Sequence, residues 1–286
     1  MKNVIFDSQI LTGLMNCERL TDYQFNQNLI PITGKGNPIE CGSLLHEILK
    51  VYYQKIRAGE ARWPAINSAK QAGEVLFKEM QNVPLDNVVH PNGHVQYIGW
   101  NYILATMDEY WEHYSNESWT PIEIEKVVSE VIFEDSDVRV LWKAKLDMTV
   151  DTNQGIYAVD HKTMKQRRDT ISLNNQFMGQ CVVTHTNGVI INKVGWQKTL
   201  KGNDKFTRPM MCYSSDRLDE WKQIVGYYAK YYIELNESGY WPPRFSFCDK
   251  FNGCLFRGVC ESDRSMRDEE IKLHFITGEP WEPLDD

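Results

Sequence analysis

Three observations in the amino-acid sequence predict an α/β fold. Apolar residues recur at helical spacing from Ser43 to about Arg57, the period drops to two between Lys126 and Lys162, and helical spacing returns from about Asp216 to Glu237. A helical opening, a strand-rich middle and a helical return describe helices laid against a sheet.

The elements follow in order. Leu44, Leu45, Ile48, Leu49 and Tyr52 form the buried stripe of the first helix, and Gly42-Ser43 offers a cap for its first turn. The stretch to about Glu117 reads as helix in pieces, most regular from Tyr97 to Tyr114 and interrupted before that by Pro84, Pro91 and Gly93. In the strand region Val127, Val131 and Phe133 share one face of a first strand. Val138, Val140, Trp142, Ala144, Leu146, Met148 and Val150 line one face of a second. The polar run Asp151-Thr152-Asn153-Gln154-Gly155 then turns the chain into a third strand, Ile156 to Lys162, which makes a hairpin. A helix from Thr170 to about His185 follows, with strands around Val189 to Val194 and Phe206 to Tyr213. For the long helix after them, Ser214 or Ser215 is available as a cap, and Asp216, Asp219 and Glu220 suit its first turn. Trp241-Pro242-Pro243 ends the regular structure and opens a cysteine-rich, irregular tail.

The chain of 286 residues carries no repeat or long linker, and a single domain is expected. Its parts are a helical N-terminal region (about 1–120), a core (about 121–240) and the tail (241–286). A formal net charge of −8 excludes a protein that coats nucleic acid through bulk positive charge, so any such contact must be local. No apolar run approaches the length of a membrane span, and the N-terminus lacks the pattern of a secretion signal, which points to an intracellular, cytoplasmic setting. In that setting seven cysteines, an odd number, suggest metal binding or burial rather than disulfides. Cys248, Cys254 and Cys260 crowd into thirteen residues. Cys41, Cys181 and Cys212 sit in apolar neighbourhoods and read as packing residues.

If the hairpin pairs symmetrically about Asn153 and Gln154, Asp147 falls opposite Asp160, with Cβ atoms on the order of 5 Å apart. Two carboxylates so placed repel unless solvent or a cation lies between them, and a hard divalent ion such as Mg²⁺ or Mn²⁺ suits the pair. Lys162, two residues beyond Asp160, points to the same face. Metal, carboxylates and lysine together suit phosphodiester hydrolysis: an acidified water attacks, and the ammonium positions it or offsets charge on the phosphate. The alternative is a solvated strand face whose Asp and Lys form weak surface pairs.

These residues resemble the RecB-like branch of the PD-(D/E)xK nuclease superfamily, including phage, CRISPR-associated and AddB-type exonucleases, over most of the chain. The motifs are Leu14-Met15-Asn16-Cys17-Glu18-Arg19, Gly42-Ser43-Leu44-Leu45-His46-Glu47, Lys145-Leu146-Asp147, Val159-Asp160-His161-Lys162-Thr163 and the C-terminal cysteines. The resemblance implies a restriction-endonuclease-like mixed sheet flanked by helices. It further implies catalysis by Asp147, Asp160 and Lys162, and a metal held by His46, Asp147, Asp160 and the backbone carbonyl of His161. Gln176 resembles the start of a DNA-positioning helix motif, but Gln180 stands where tyrosine is usual; both could equally be satisfied core amides. Glu130 is a further candidate near the metal. Cys17 with Cys248, Cys254 and Cys260 resembles the ligand set of a [4Fe-4S] cluster that would join the chain ends, although the family's commoner spacing is Cys-x2-Cys-x5-Cys. Zn²⁺ or free thiols are the alternatives.

The implied substrate is DNA, linear or with single-stranded ends, in recombination, repair or replication. Lys165, Arg167 and Arg168 beside the site are candidate phosphate contacts, with Lys193, Lys198 and Lys201 a second patch, and a solvated loop is the plain alternative. Tyr227, Tyr228, Tyr231 and Tyr232 lie at helical spacing and read as packing residues. No phosphate-binding Gly-x4-Gly-Lys-Ser/Thr loop is present, so unwinding would need a helicase, and a recombinase or single-strand-binding protein is a further possible partner. A non-catalytic nucleic-acid-binding or assembly module on the same fold is the competing reading.

Overall fold

The computed structural model describes residues 1–32, 38–80, 99–164, 173–186, 188–196, 199–249 and 253–280. The described elements are β1 (Lys2–Phe6), α1 (Ser8–Asn16), α2 (Glu18–Thr21), β2 (Leu29–Pro31), α3 (Pro38–Arg57), α4 (Arg62–Met80), α5 (Trp100–His113), β3 (Thr120–Glu134), β4 (Val138–Thr152) and β5 (Gly155–Met164). They continue as α6 (Asn175–Thr184), β6 (Gly188–Gly195), β7 (Phe206–Thr207), β8 (Met210–Cys212), α7 (Ser215–Ser238), α8 (Arg257–Glu261), α9 (Arg267–His274) and β9 (Phe275–Thr277). A seven-stranded mixed sheet runs in the order β1-β4-β5-β6-β7, with β3 paired to β4 and β8 to β6. This is the α/β architecture the sequence predicts. Among the described residues no helix is long and apolar enough to cross a membrane.

The chain divides into two compact units that interleave in sequence. In the unit of residues 1–35, 127–144 and 214–286, the chain opens on a strand rather than a helix. β1 runs parallel to the first half of β4, Lys2 against Val138 through Phe6 against Trp142. A five-residue strand has too few residues to announce itself by alternation, and only its partner defines it. Asp7 then starts α1, accepting the N–H groups of Gln9 and Ile10 at 2.9 and 2.8 Å, as a cap should. Val138, Val140 and Trp142 are buried as the alternation requires, and Trp142 meets Trp221 of α7 edge-on at 4.9 Å. Ser214 caps α7 through the N–H of Arg217. Gly226 lies so close to Phe133 that a Cβ would stand 2.6 Å from its ring. Tyr227 corrects the packing expectation: it is 66% exposed, because the buried stripe of α7 runs through Leu218, Trp221, Val225 and Ala229. The tail is also more regular than expected, since β9 pairs antiparallel with β2.

The unit of residues 36–126 and 145–213 holds the second half of β4, β5 to β8 and helices α3 to α6. α3 starts at Pro38, upstream of the Gly42-Ser43 cap read from sequence; proline's fixed φ suits the first turn of a helix. The stretch to Glu117 is helical in two pieces, α4 and α5, as the sequence suggests, and Pro84, Pro91 and Gly93 lie outside the described residues. Leu45, Ile48, Leu49 and Tyr53 of α3 share a core with Ile103, Met107 and Tyr110 of α5 and with Met148, Val150, Val159 and Ile190 of the sheet. The β4–β5 hairpin pairs from Thr152 with Gly155 to Met148 with Val159, the symmetry read from the sequence. Gly155 takes φ +124°, which suits glycine. β5 is antiparallel to β4 and parallel to β6, which makes the sheet mixed. The strand expected near Phe206 to Tyr213 is two pieces on β6, separated at Arg208-Pro209, where the N–H of Ile191 reaches the Pro209 carbonyl at 2.9 Å. Cys212 lies exposed on β8 at the sheet's edge, not packed inside; Cys181 is buried as expected, and the Cys41 side chain lies outside the described residues.

Candidate metal and catalytic centre

The hairpin carries its acidic residues to the end of the β4–β5 ladder. Beyond Met148 and Val159, the Asp147 side chain takes over from backbone pairing: its Oδ2 accepts the His161 N–H at 2.7 Å. Its Oδ1 lies 3.3 Å from His46 Nδ1. His46 reaches it from α3, flanked on that helix by buried Leu45 and Leu49. Asp160 is fully buried on β5. Lys162 Nζ stands 2.9 Å from Asp160 Oδ2 and donates to Gln176 Oε1 at 3.3 Å, and Gln176 Nε2 donates to Asp160 Oδ1 at 2.7 Å. Asn174 caps α6 and so sets Gln176 in its first turn, facing the strand. Gln180, one turn on, is buried with Nε2 at 3.4 Å from the same Asp160 oxygen.

One carboxylate in the site escaped the sequence reading. Glu125 of β3, rather than Glu130, gathers with His46 and Asp147, the ligand atoms of the three lying within 4.8 Å of one another. Glu125 has φ +53°, a conformation that a non-glycine residue in a strand rarely adopts and that a functional site can retain. That break in the pleat decides where its side chain points, and alternation gives no sign of it. Lys145 Nζ pairs with Glu125 at 2.6 Å.

The electrostatics separate the two acids. Burial pushes up the Asp160 carboxyl and the nearby Asp147 charge adds to this, against Lys162. Asp147 is also penalised by burial, but the His46 hydrogen bond and charge outweigh it and hold its carboxyl low. Burial opposes protonation of His46, and Asp147 and Asp160 overcome it and raise that imidazole. The Lys162 ammonium is raised for the same reason, Asp160 outweighing its burial. For His161, burial outweighs the Asp147 charge and, with the neighbouring cations, takes its imidazole down to about 3.

The donor set fits a hard divalent ion. Asp160 Oδ2 is buried without a hydrogen bond, its Lys162 neighbour being placed as an ion pair, and Gln180 Oε1 is buried without a partner. One imidazole and two carboxylates, His46, Asp147 and Glu125, match the oxygen-rich chemistry of Mg²⁺ or Mn²⁺; Asp160, expected from the sequence as a ligand, is not among these gathered atoms and turns its unsatisfied oxygen to Lys162. Of the residues read from sequence, the structure brings together His46, Asp147, Asp160, His161, Lys162, Gln176 and Gln180. Lys165, Arg167, Arg168 and Lys198 lie outside the described residues; Lys193 pairs with Lys162 across β5 and β6, and Lys201 is exposed.

The four cysteines of the expected cluster all belong to the other unit and are free thiols. Cys17 Sγ accepts the Arg244 N–H at 3.3 Å, and the Cys248 carbonyl accepts the Cys254 N–H at 2.9 Å. Burial raises Cys248 and Cys254, and the charges of the other thiols in the set raise them further, so the four are electrostatic neighbours. Among the described residues, no three of these thiols lie within 4.8 Å of one another.

A mixed sheet that presents two carboxylates, a lysine and a helical histidine at one edge of a hairpin defines a nuclease class of site. Residues 11–261 match the sequence model of the PD-(D/E)XK nuclease superfamily, and the chain belongs to that superfamily. Among solved structures, a candidate exonuclease from Eubacterium rectale is 12% identical, with 85% of each chain covered and a TM-score of 0.49. SSO0001 is 14% identical over 67% of this chain and 80% of its own, with a TM-score of 0.34. No curated protein matches the chain.

Proposed function

We propose that this protein is a divalent-metal-dependent DNA nuclease that works on DNA ends. The observation that carries the reading is the convergence of Asp147, Asp160, Lys162 and His46 at the end of the β4–β5 hairpin. Mg²⁺ or Mn²⁺ held by His46, Asp147, Asp160 and the His161 carbonyl, with Glu125 beside them, would supply Lewis-acid stabilisation of the phosphate and an acidified water. Asp147 orients His46 and the His161 peptide through its two oxygens. Lys162 remains a cation and places its charge where negative charge develops on the phosphate. Gln176 fixes Lys162 against Asp160, so it serves the site whether or not it also touches DNA.

With a net charge of −8, the substrate is held locally, and Lys165, Arg167 and Arg168, which follow Lys162 in the chain, are the proposed phosphate contacts. The role proposed for the protein is in recombination, repair or replication, with a helicase, recombinase or single-strand-binding protein as partner.

Cys17, Cys248, Cys254 and Cys260 are proposed to hold a [4Fe-4S] cluster. Four thiolates would equally suit Zn²⁺, which is the alternative occupant. Anaerobically purified protein should carry iron and a visible chromophore that Cys254→Ser removes; colourless protein without iron excludes the cluster.

The test of the nuclease is degradation of end-labelled single- and double-stranded DNA with Mg²⁺ or Mn²⁺, against chelator and Lys162→Ala. Metal-dependent loss of label, reduced in the variant by about 10²–10⁴-fold, is expected for a positioned catalytic group. Intact DNA in every arm, from folded protein supplied with metal, would instead support a non-catalytic binding module.

A further inference from the structure

Behind the metal centre lies a buried polar network that the proposed chemistry does not use. The Arg208 guanidinium sits between the rings of Tyr114 and Trp119, 3.4 and 3.8 Å from their centroids. Its Nη1 pairs with Glu117 at 2.5 Å, and its Nη2 donates to Tyr110 and Tyr53 at 2.8 and 3.3 Å. Its Nε donates to Asn192 Oδ1 at 3.1 Å. Asn192 is fully buried on β6, directly across from His161 on β5.

The direction of every bond follows from Arg208, which can only donate. Asn192 must turn its oxygen toward Arg208, so its Nδ2 faces the Tyr110 hydroxyl and, on the neighbouring strand, His161 Nδ1, both at 2.9 Å. An amide nitrogen also only donates, so Nδ1 of His161 must be the acceptor. Tyr110, accepting from both Arg208 and Asn192, is left to donate to Tyr53 at 3.4 Å, and Tyr53 donates to Glu117 at 3.3 Å. Tyr53 also stacks its ring parallel to the His161 imidazole, 6.0 Å between centroids. A network of this kind, with its donors and acceptors matched, has one arrangement.

We propose that Arg208 and Asn192 are positioning residues that lock His161 as its Nε2–H tautomer and, through it, hold the Asp160-His161-Lys162 segment in place for the metal. The metal-holding consequence rests on the nuclease reading; the tautomer lock does not. His161 is the point of leverage because its own N–H is the one that Asp147 accepts, and groups that orient a metal ligand commonly control affinity as the ligands themselves do.

The experiment has two readouts. In metal-free protein labelled with ¹⁵N-histidine, long-range ¹H–¹⁵N correlations report which nitrogen of His161 carries the proton, assigned by the signal lost in His161→Gln. Nε2–H is expected in the native chain. Asn192→Asp keeps the shape and still accepts from Arg208, but it now accepts from His161 as well, and should switch the imidazole to Nδ1–H. Mn²⁺ affinity, read by titration with electron paramagnetic resonance, should weaken by about 10–100-fold in Asn192→Asp and in Arg208→Lys. An imidazolium or Nδ1–H tautomer of His161 in the native chain overturns the lock. Folded Asn192→Asp or Arg208→Lys binding Mn²⁺ as the native chain does overturns the positioning role. A native chain that binds no Mn²⁺ removes the nuclease reading and the metal consequence with it, while the tautomer signal still decides the lock.

Discussion

Asp160→Asn should make the metal-free protein more stable while removing its metal response. Asp160 is fully buried and its carboxyl is pushed up, so above that raised pKa the folded chain holds an ionised acid at a cost the unfolded chain does not bear. The sign follows: stability from this group is complete below the ordinary carboxylate pKa of 3.8 and is lost as pH rises through the raised value. Each unit of displacement is worth about 1.4 kcal/mol. Asparagine keeps the Gln176 bond to its oxygen but turns a donor toward Lys162, which returns part of the gain. The expected balance in chelator at pH 8 is a stabilisation on the order of 1–2 kcal/mol, shrinking toward zero near pH 4. Urea unfolding of both chains at several pH values, with chelator and with Mn²⁺, measures it. Mn²⁺ should stabilise the native chain in proportion to its saturation and leave Asp160→Asn nearly unmoved. A variant less stable than the native chain at pH 8, or one that Mn²⁺ stabilises equally, would refute the argument that Asp160 is a buried, metal-demanding acid.

Other outcomes follow from single positions. Glu125→Gln should weaken Mn²⁺ binding by about tenfold in calorimetric titration with the fold intact, since it removes a charge from the gathered ligand atoms and leaves the backbone alone; unchanged affinity would take Glu125 out of the site. Gly73→Ala places a Cβ 2.5 Å from Ile48 and 3.0 Å from Trp100, and overpacking there should cost about 1–3 kcal/mol by urea denaturation. His161, held neutral with its pKa down to about 3, binds fewer protons folded than unfolded below its ordinary 6.5. The His161 contribution to metal-free stability should therefore fall as pH drops from 6.5 toward 3, by on the order of 1 kcal/mol per unit, read as the difference between the native chain and His161→Gln across that range.

The hairpin was readable in advance because its information is local. Alternation from Val138 to Val150 places one face inward, and a two-residue turn at Asn153-Gln154 leaves one register, which the ladder keeps as far as Met148 and Val159; pleat geometry carries it on to the expected approach of Asp147 to Asp160 and the direction of Lys162. The cap by Ser214 and the buried stripe of α3 are local in the same way. His46 and Gln176 could be tied to the hairpin only through resemblance, because nothing in their own segments says which strand a helix will cover.

The rest waited for the tertiary structure. β1 is a strand only because Val138 to Trp142 lie alongside it, and Tyr227 is exposed because of where α7 rests. Glu125 reaches the metal ligands through a positive φ that no sequence pattern encodes. Arg208, Asn192, Tyr110 and Tyr53 come from four separate elements or loops, and their bonds have meaning only once an arginine that can only donate is buried against the strand next to His161. Periodicity reports which face of a segment meets the core. Which polar side chains then meet one another, and so which atoms must donate and which accept, is decided only when the segments pack.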